Sequence, residues 1–244
     1  MSSTDPENPR REFLRKTLTL IPVVTVASST LGMSALSAVP AQAATATPAA
    51  PAKEYQPIWF TAEEWAFVQA AVSRLTPADD LGAGALEAGA GEYIDRQMNT
   101  PYATGAQWYM QGPFVTDAPA DMGYQLQLSA QQIYRLGIAA VDEQCKKQDG
   151  KVFAELDRAT QERVLGELEA GKRQLDAVPD KAFFSLLLQN TREGFFCDPI
   201  HGGNKGMVGW TQIGFPGARA DFMDWVDRNE AYPYPAVSIR GERA

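Results

Sequence analysis

Residues 180–193 read DKAFFSLLLQNTRE, and the reading of this stretch decides the fold. Phe183, Phe184, Leu186, Leu187 and Leu188 make a helix that is apolar nearly all round. Such a helix belongs at the centre of a bundle, where other helices cover it. Gly194 follows, in the place where a left-handed residue ends a helix.

Working outward, three further long helices are expected to supply that cover. One covers roughly 159–170, with Val164, Leu165 and Leu168 apolar and Gly171 placed to end it. Ser129-Ala130-Gln131-Gln132 is a capping box opening a helix that carries Ile133, Leu136, Ala140 and Val141 and runs to about Lys147, where lysines suit the helix dipole. Thr61-Ala62-Glu63-Glu64 is a second capping box, followed by Trp65, Val68, Val72 and Leu75 at helical spacing and by Pro77 as a stop. A short helix is predicted from Glu92 to Met98, with Tyr93 and Ile94 apolar; the Gly/Ala-rich run 81–90 before it is ambiguous. Residues 101–121 read as irregular and dense in aromatic rings. No sustained period-2 alternation and no internal repeat is present. The fold class is therefore mostly α: a single irregular helical domain over 55–244 with long Gly/Pro/aromatic-rich loops.

Ahead of this domain, residues 9–16 read PRREFLRK. Arg10 and Arg11 followed by Phe13 and Leu14 form a twin-arginine export pattern. A moderately apolar stretch, 18–36, leads to Ala41-Gln42-Ala43, a small-x-small cleavage site. Pro22, Gly32 and many hydroxyls hold that stretch below the apolarity of a confident membrane span. The expected organisation is a signal peptide over 1–43, an Ala/Thr/Pro-rich linker over 44–54, and a periplasmic domain beyond.

The 244-residue chain has a formal net charge of -8, and four of its basic residues (Arg10, Arg11, Arg15 and Lys16) fall in the signal. The body is more acidic still, which excludes nucleic acid and charge-driven docking on an anionic bilayer as partners. A protein partner or a neutral small molecule remains. The two cysteines, Cys145 and Cys197, form neither a CxxC nor a CxxCH motif; whether they pair as a disulfide stays open.

The densest information lies in 194–219, GFFCDPIHGGNKGMVGWTQIGFPGAR. Glycine and proline punctuate it every few residues, with Phe196, Trp210 and Phe215 between them, as suits a rigid loop that docks on another surface. Asp198, ahead of Pro199, is expected to bond the backbone N–H groups of the glycines that follow. His201 is the sole histidine and reads as a turn residue. There is no G-x-S-x-G elbow, G-x-G-x-x-G fingerprint or P-loop, so no catalytic, cofactor-binding or metal residue is assigned.

The DPIHGGN…GW…IGFPGA run, ALEAGAGEYIDRQM at 85–98 and WYMQGPF at 108–114 together resemble the gluconate 2-dehydrogenase subunit 3 family, the small subunits of membrane-associated flavoprotein dehydrogenases. The family usually carries Tyr or a similar residue where His201 stands here. The resemblance implies a non-catalytic subunit with no cofactor of its own. It implies as partners an FAD-containing large subunit of glucose-methanol-choline type and a multi-haem cytochrome c that passes electrons to membrane quinone. The small subunit would escort the flavoprotein through export and stabilise it, peripheral to the inner membrane through those partners. On this reading the interface candidates are Trp108, Tyr109 and Phe114 in one loop, and Asp198, Gly202, Gly203, Asn204, Trp210, Phe215, Pro216 and Gly217 in the other. A self-sufficient periplasmic carbohydrate-binding module, gripping a sugar with the same aromatic loops, is the rival expectation.

Overall fold

A computed structural model describes residues 55–244 apart from 116; the expected signal peptide, with Arg10, Arg11, Phe13 and Leu14, and the expected linker lie outside the described residues. The α-helices are α1 (Ala62–Leu75), α2 (Ala90–Gln97), α3 (Pro101–Thr104), α4 (Ala130–Asp149), α5 (Arg158–Ala170), α6 (Asp180–Phe196) and α7 (Val208–Ile213). Short 3₁₀ segments intervene, the longest at Ala220–Trp225. Among the described residues, β-pairing is limited to isolated bridges, so the mostly helical class expected from the sequence is what forms. No helix of the described residues is long and apolar enough to cross a membrane.

Helix α6 is the hub: α1, α2, α4, α5 and α7 all pack on it. It buries Phe183, Phe184, Leu186, Leu187 and Phe195. It is not apolar on every side, because Lys181, Ser185, Gln189 and Arg192 line up at three- and four-residue steps as an exposed stripe. At the centre Phe67 lies 4.5 Å from Phe153 and 6.0 Å from Phe183, and Tyr134 stands edge-on to Phe60 and Phe183. Helix α4 can come this close because Gly137 has no side chain; a Cβ there would sit 2.3 Å from the Phe183 ring.

Both capping boxes form. Thr61 Oγ1 accepts from Glu64 N–H while the Glu64 carboxylate accepts from Thr61 N–H, and Ser129 and Gln132 repeat the arrangement. Asp157, unanticipated as a cap, accepts from Thr160 N–H and opens α5.

Gly194 does not end the central helix. Helix α6 runs on to Phe196, with Cys197 as its C-cap. Gly194 is buried inside it because a Cβ would lie 3.0 Å from Ala90 Cα, so the glycine is needed for the α2–α6 crossing and not for a left-handed turn. Within the stretch expected to be irregular, 101–104 winds into one helical turn started by Pro101 at its first position.

Candidate functional site

The ends of the fold are held by three aspartates that act alike. Asp95 on α2 is fully buried and accepts from Tyr55 Oη (2.7 Å) and from the backbone N–H of Ile58 (2.7 Å), Trp59 (3.1 Å) and Phe60 (2.9 Å). Asp180, at the first position of α6, accepts from the N–H groups of Arg173, Gln174 and Leu175 at 2.7–2.9 Å. Asp198 accepts from Ile200 N–H (3.0 Å) and from Ile239 N–H (2.8 Å). Carboxylates make the stronger class of hydrogen bond, and each fastens a loop chiefly by its backbone N–H groups, with the Tyr55 hydroxyl added at Asp95. For Asp198 this corrects the expectation: its donors are Ile200 and the distant Ile239, because the glycine amides point elsewhere. Burial, then the Asp95 carboxylate, push the Tyr55 hydroxyl well above its ordinary value.

The glycine-rich loop folds back onto the helices that precede it. Asn204 is fully buried in a left-handed conformation (φ 45°), which Asn tolerates better than most residues. Its N–H donates to Gly194 O, its Nδ2 to Cys197 O, and its Oδ1 accepts from Gly209 N–H, all at 2.8–2.9 Å. Gly203 lies against the end of α6, where a Cβ would stand 2.1 Å from Gly194 O. Trp210 is buried and its indole N–H donates to Phe196 O at 2.7 Å. Lys205 bonds Ala88 O through its backbone and reaches Glu92 at 2.6 Å with its ammonium; Arg96 pairs with the same carboxylate. Gln212 reaches Ala83 O. The 85–98 and 194–219 blocks are therefore one structural unit built around the α2–α6 crossing.

The interface candidates thus divide. Gly202, Gly203, Asn204, Trp210 and Pro216 are buried and spent on that unit, and Gly217 pairs with Val237. Phe215 is exposed, stacked edge-on to Trp210 at 5.1 Å. In the other loop Trp108 is wedged between Tyr102 (5.4 Å) and Tyr124 (4.9 Å), and Phe114 is half-buried. Tyr109 is 75% exposed. No hydrogen bond or aromatic contact joins the two loops among the described residues. Tyr102 and Tyr134 meet instead at Asn190, which also donates to Glu193. Burial raises the hydroxyls of Tyr93, Tyr102 and Tyr134, and that of Tyr124 to about 12.

Cys145 and Cys197 are both free thiols. Cys145 is buried on α4 beside Arg173, whereas Cys197 caps α6 against Gly194 O, so each is packed into a different neighbourhood. Burial pushes both thiols up to about 11. His201 is exposed on the 3₁₀ turn Pro199–His201. Among the described residues no group of three or more His, Cys, Asp or Glu is disposed to hold a metal.

Beyond the quoted run, residues 220–244 carry no motif in the sequence, and with Ala218 and Arg219 they form the C-terminal part of the described structure. They form an arm bound to the glycine-rich loop through Ala218 N–H to Val237 O (2.7 Å) and the Asp198–Ile239 bond. Arg219 donates to Pro235 O and lies over Tyr234. A cleft of about 270 Å³ opens between arm and loop, lined by Trp210, Phe215, Pro216, Tyr232, Tyr234 and Pro235. Alternating Tyr and Pro at 232–235 was the available signal.

Against known families, the model described as gluconate 2-dehydrogenase subunit 3 matches residues 62–217, more than half of the chain. The chain belongs to this family. The match opens at α1 and closes on Gly217, so the subunit 3 unit comprises the bundle and the glycine-rich loop, and the arm lies beyond it. No curated protein and no solved structure matches the chain.

Proposed function

We propose that this chain is the non-catalytic small subunit of a periplasmic, FAD-dependent gluconate 2-dehydrogenase-like complex acting on a sugar or polyol, which it escorts through twin-arginine export and stabilises. The family match over 62–217 carries the reading. The Arg10-Arg11 pattern supports the export role. The partners are the FAD-containing large subunit of glucose-methanol-choline type and a multi-haem cytochrome c; FAD and haem reside in them, and membrane association comes through them. The subunit 3 motif works as a scaffold: its glycines and Asn204 hold α2, α6 and α7 together, and the exposed rings, Tyr109 and Phe215, stand on that rigid support.

The test is affinity purification of the tagged chain from its native host, with a visible spectrum of the eluate. Flavin absorption and a co-eluting larger protein are expected. Changing Arg10 and Arg11 to Lys should also remove that partner from the periplasm. A colourless eluate holding the tagged chain alone would overturn the proposal.

A further inference from the structure

The arm beyond Gly217 has a pattern of its own. In a 3₁₀ helix, side chains three apart eclipse one another, so Ala220–Trp225 and the residues just after it present ridges. One ridge, Phe222 and Trp225, turns inward and packs both rings edge-on against Tyr232, at 5.3 and 5.7 Å. The second, Met223 and Val226, points outward and is 75% and 60% exposed. The third, Asp221, Asp224 and Asp227, is exposed throughout; Asp221 accepts from Tyr232 Oη at 2.7 Å and pairs with Arg219, which leaves Asp224 and Asp227 as the open charges. Asp224 and Asp227 make no ion pair among the described residues. The nearby cations are occupied: Arg219 is only 16% exposed and lies over Tyr232 and Tyr234, and Arg228 stacks on Trp225 at 3.9 Å and pairs with Glu230. The arm also holds Trp225 Nε1, a buried donor with no hydrogen-bond partner.

We infer that this arm is a docking surface for the flavoprotein subunit, seating Met223 and Val226 in an apolar depression ringed by lysine or arginine. The inference rests on the function proposed above and places part of the contact outside the family's matched residues. Charge selects the occupant. A second copy docking by the same face would set Asp224 and Asp227 against the same two carboxylates, which is unfavourable, and an anionic bilayer would repel them. A basic, apolar protein face satisfies both outward ridges at once. Because the arm is pinned to the glycine-rich loop through Asp198 and Val237, the surface is presented by the subunit 3 scaffold.

The experiment compares full-length tagged chains produced in the native host: wild type, Met223→Ser/Val226→Ser, and Asp224→Lys/Asp227→Lys. The readout is flavin retained per tagged chain at low and at high salt. All substituted side chains are exposed, so thermal unfolding of the variants should match wild type and separates lost docking from lost folding. Each double variant is expected to retain about tenfold less flavoprotein at low salt, and the lysine variant should also lose the salt sensitivity of the wild type. Wild-type retention by both folded variants would overturn the surface while leaving the escort function standing. A self-associated chain that the same variants make monomeric would overturn the choice of occupant. If the wild type itself retains no flavin, the function falls and the inference with it.

Discussion

Replacing Asp95 by alanine should release the first segment of the domain. The carboxylate holds four donors: Tyr55 Oη and the amides of Ile58, Trp59 and Phe60. Each bond to a charged acceptor contributes about 1.5–3 kcal/mol before the cost of burying the charge. That burial costs several kcal/mol and offsets part of the sum, leaving a net loss of about 3–5 kcal/mol on removing the carboxylate. Escape of the segment limits the loss, since freed amides can bond water, but it also exposes Phe60, whose burial is worth about 1.5–3 kcal/mol. Asp95→Asn should cost about 2–4 kcal/mol, because the amide offers one acceptor oxygen and turns its NH₂ toward donors. Urea unfolding of the two variants measures the loss, and hydrogen exchange at Ile58, Trp59 and Phe60 reports whether the segment has detached. An Asp95→Ala variant within about 0.5 kcal/mol of wild type, with exchange at those amides unchanged, would refute the reasoning.

Glycines should divide by what faces them: Gly203→Ala, with Gly194 O in the way, should cost about 2–4 kcal/mol, while Gly166→Ala, on an open face of α5, should gain about 0.5–1 kcal/mol in the same urea assay. Titration of the unfolded, unreduced chain should find two free thiols, and in the native protein both should alkylate slowly at neutral pH, since burial raises them to about 11. An acid whose folded pKa is raised favours the protonated, folded form; its contribution is complete below the ordinary thiol value of 9.0 and is lost as pH rises toward about 11, so the unfolding midpoint should fall across that window and fall less in Cys197→Ala. Calorimetry of the isolated chain with gluconate, glucose, sorbitol or lactate should give no binding heat; millimolar or tighter binding would favour the carbohydrate-module reading instead.

The helices were legible because their signals are local. Thr61–Glu64 and Ser129–Gln132 announce their caps within four residues, and the apolar content of 183–188 places α6 at the centre. Gly194 was misread because a glycine that ends a helix and one that admits a neighbouring helix look alike in sequence; Ala90, which decides between them, is far away in the chain. Asp198 was given a local duty for the same reason, when its second partner is Ile239. The family motifs were legible as blocks, but the packing of their residues was not: Trp210, Asn204 and Gly203, candidates for a partner interface, are buried within the chain's own fold. The three-residue period of 221–227 lies in plain sight yet matches neither the 3.6 nor the 2.0 repeat by which elements are usually sought.

Apart from the Tyr55 hydroxyl on Asp95, the three aspartate clasps recognise a path of backbone amides and make no bond to the side chains along it. Residues 58–60, 173–175, 200 and 239 are therefore free to vary in chemistry wherever packing allows, with proline as the forbidden substitution, since it alone removes the N–H being held. Loops governed this way can diverge widely between relatives while the chain still enters and leaves the bundle at the same points.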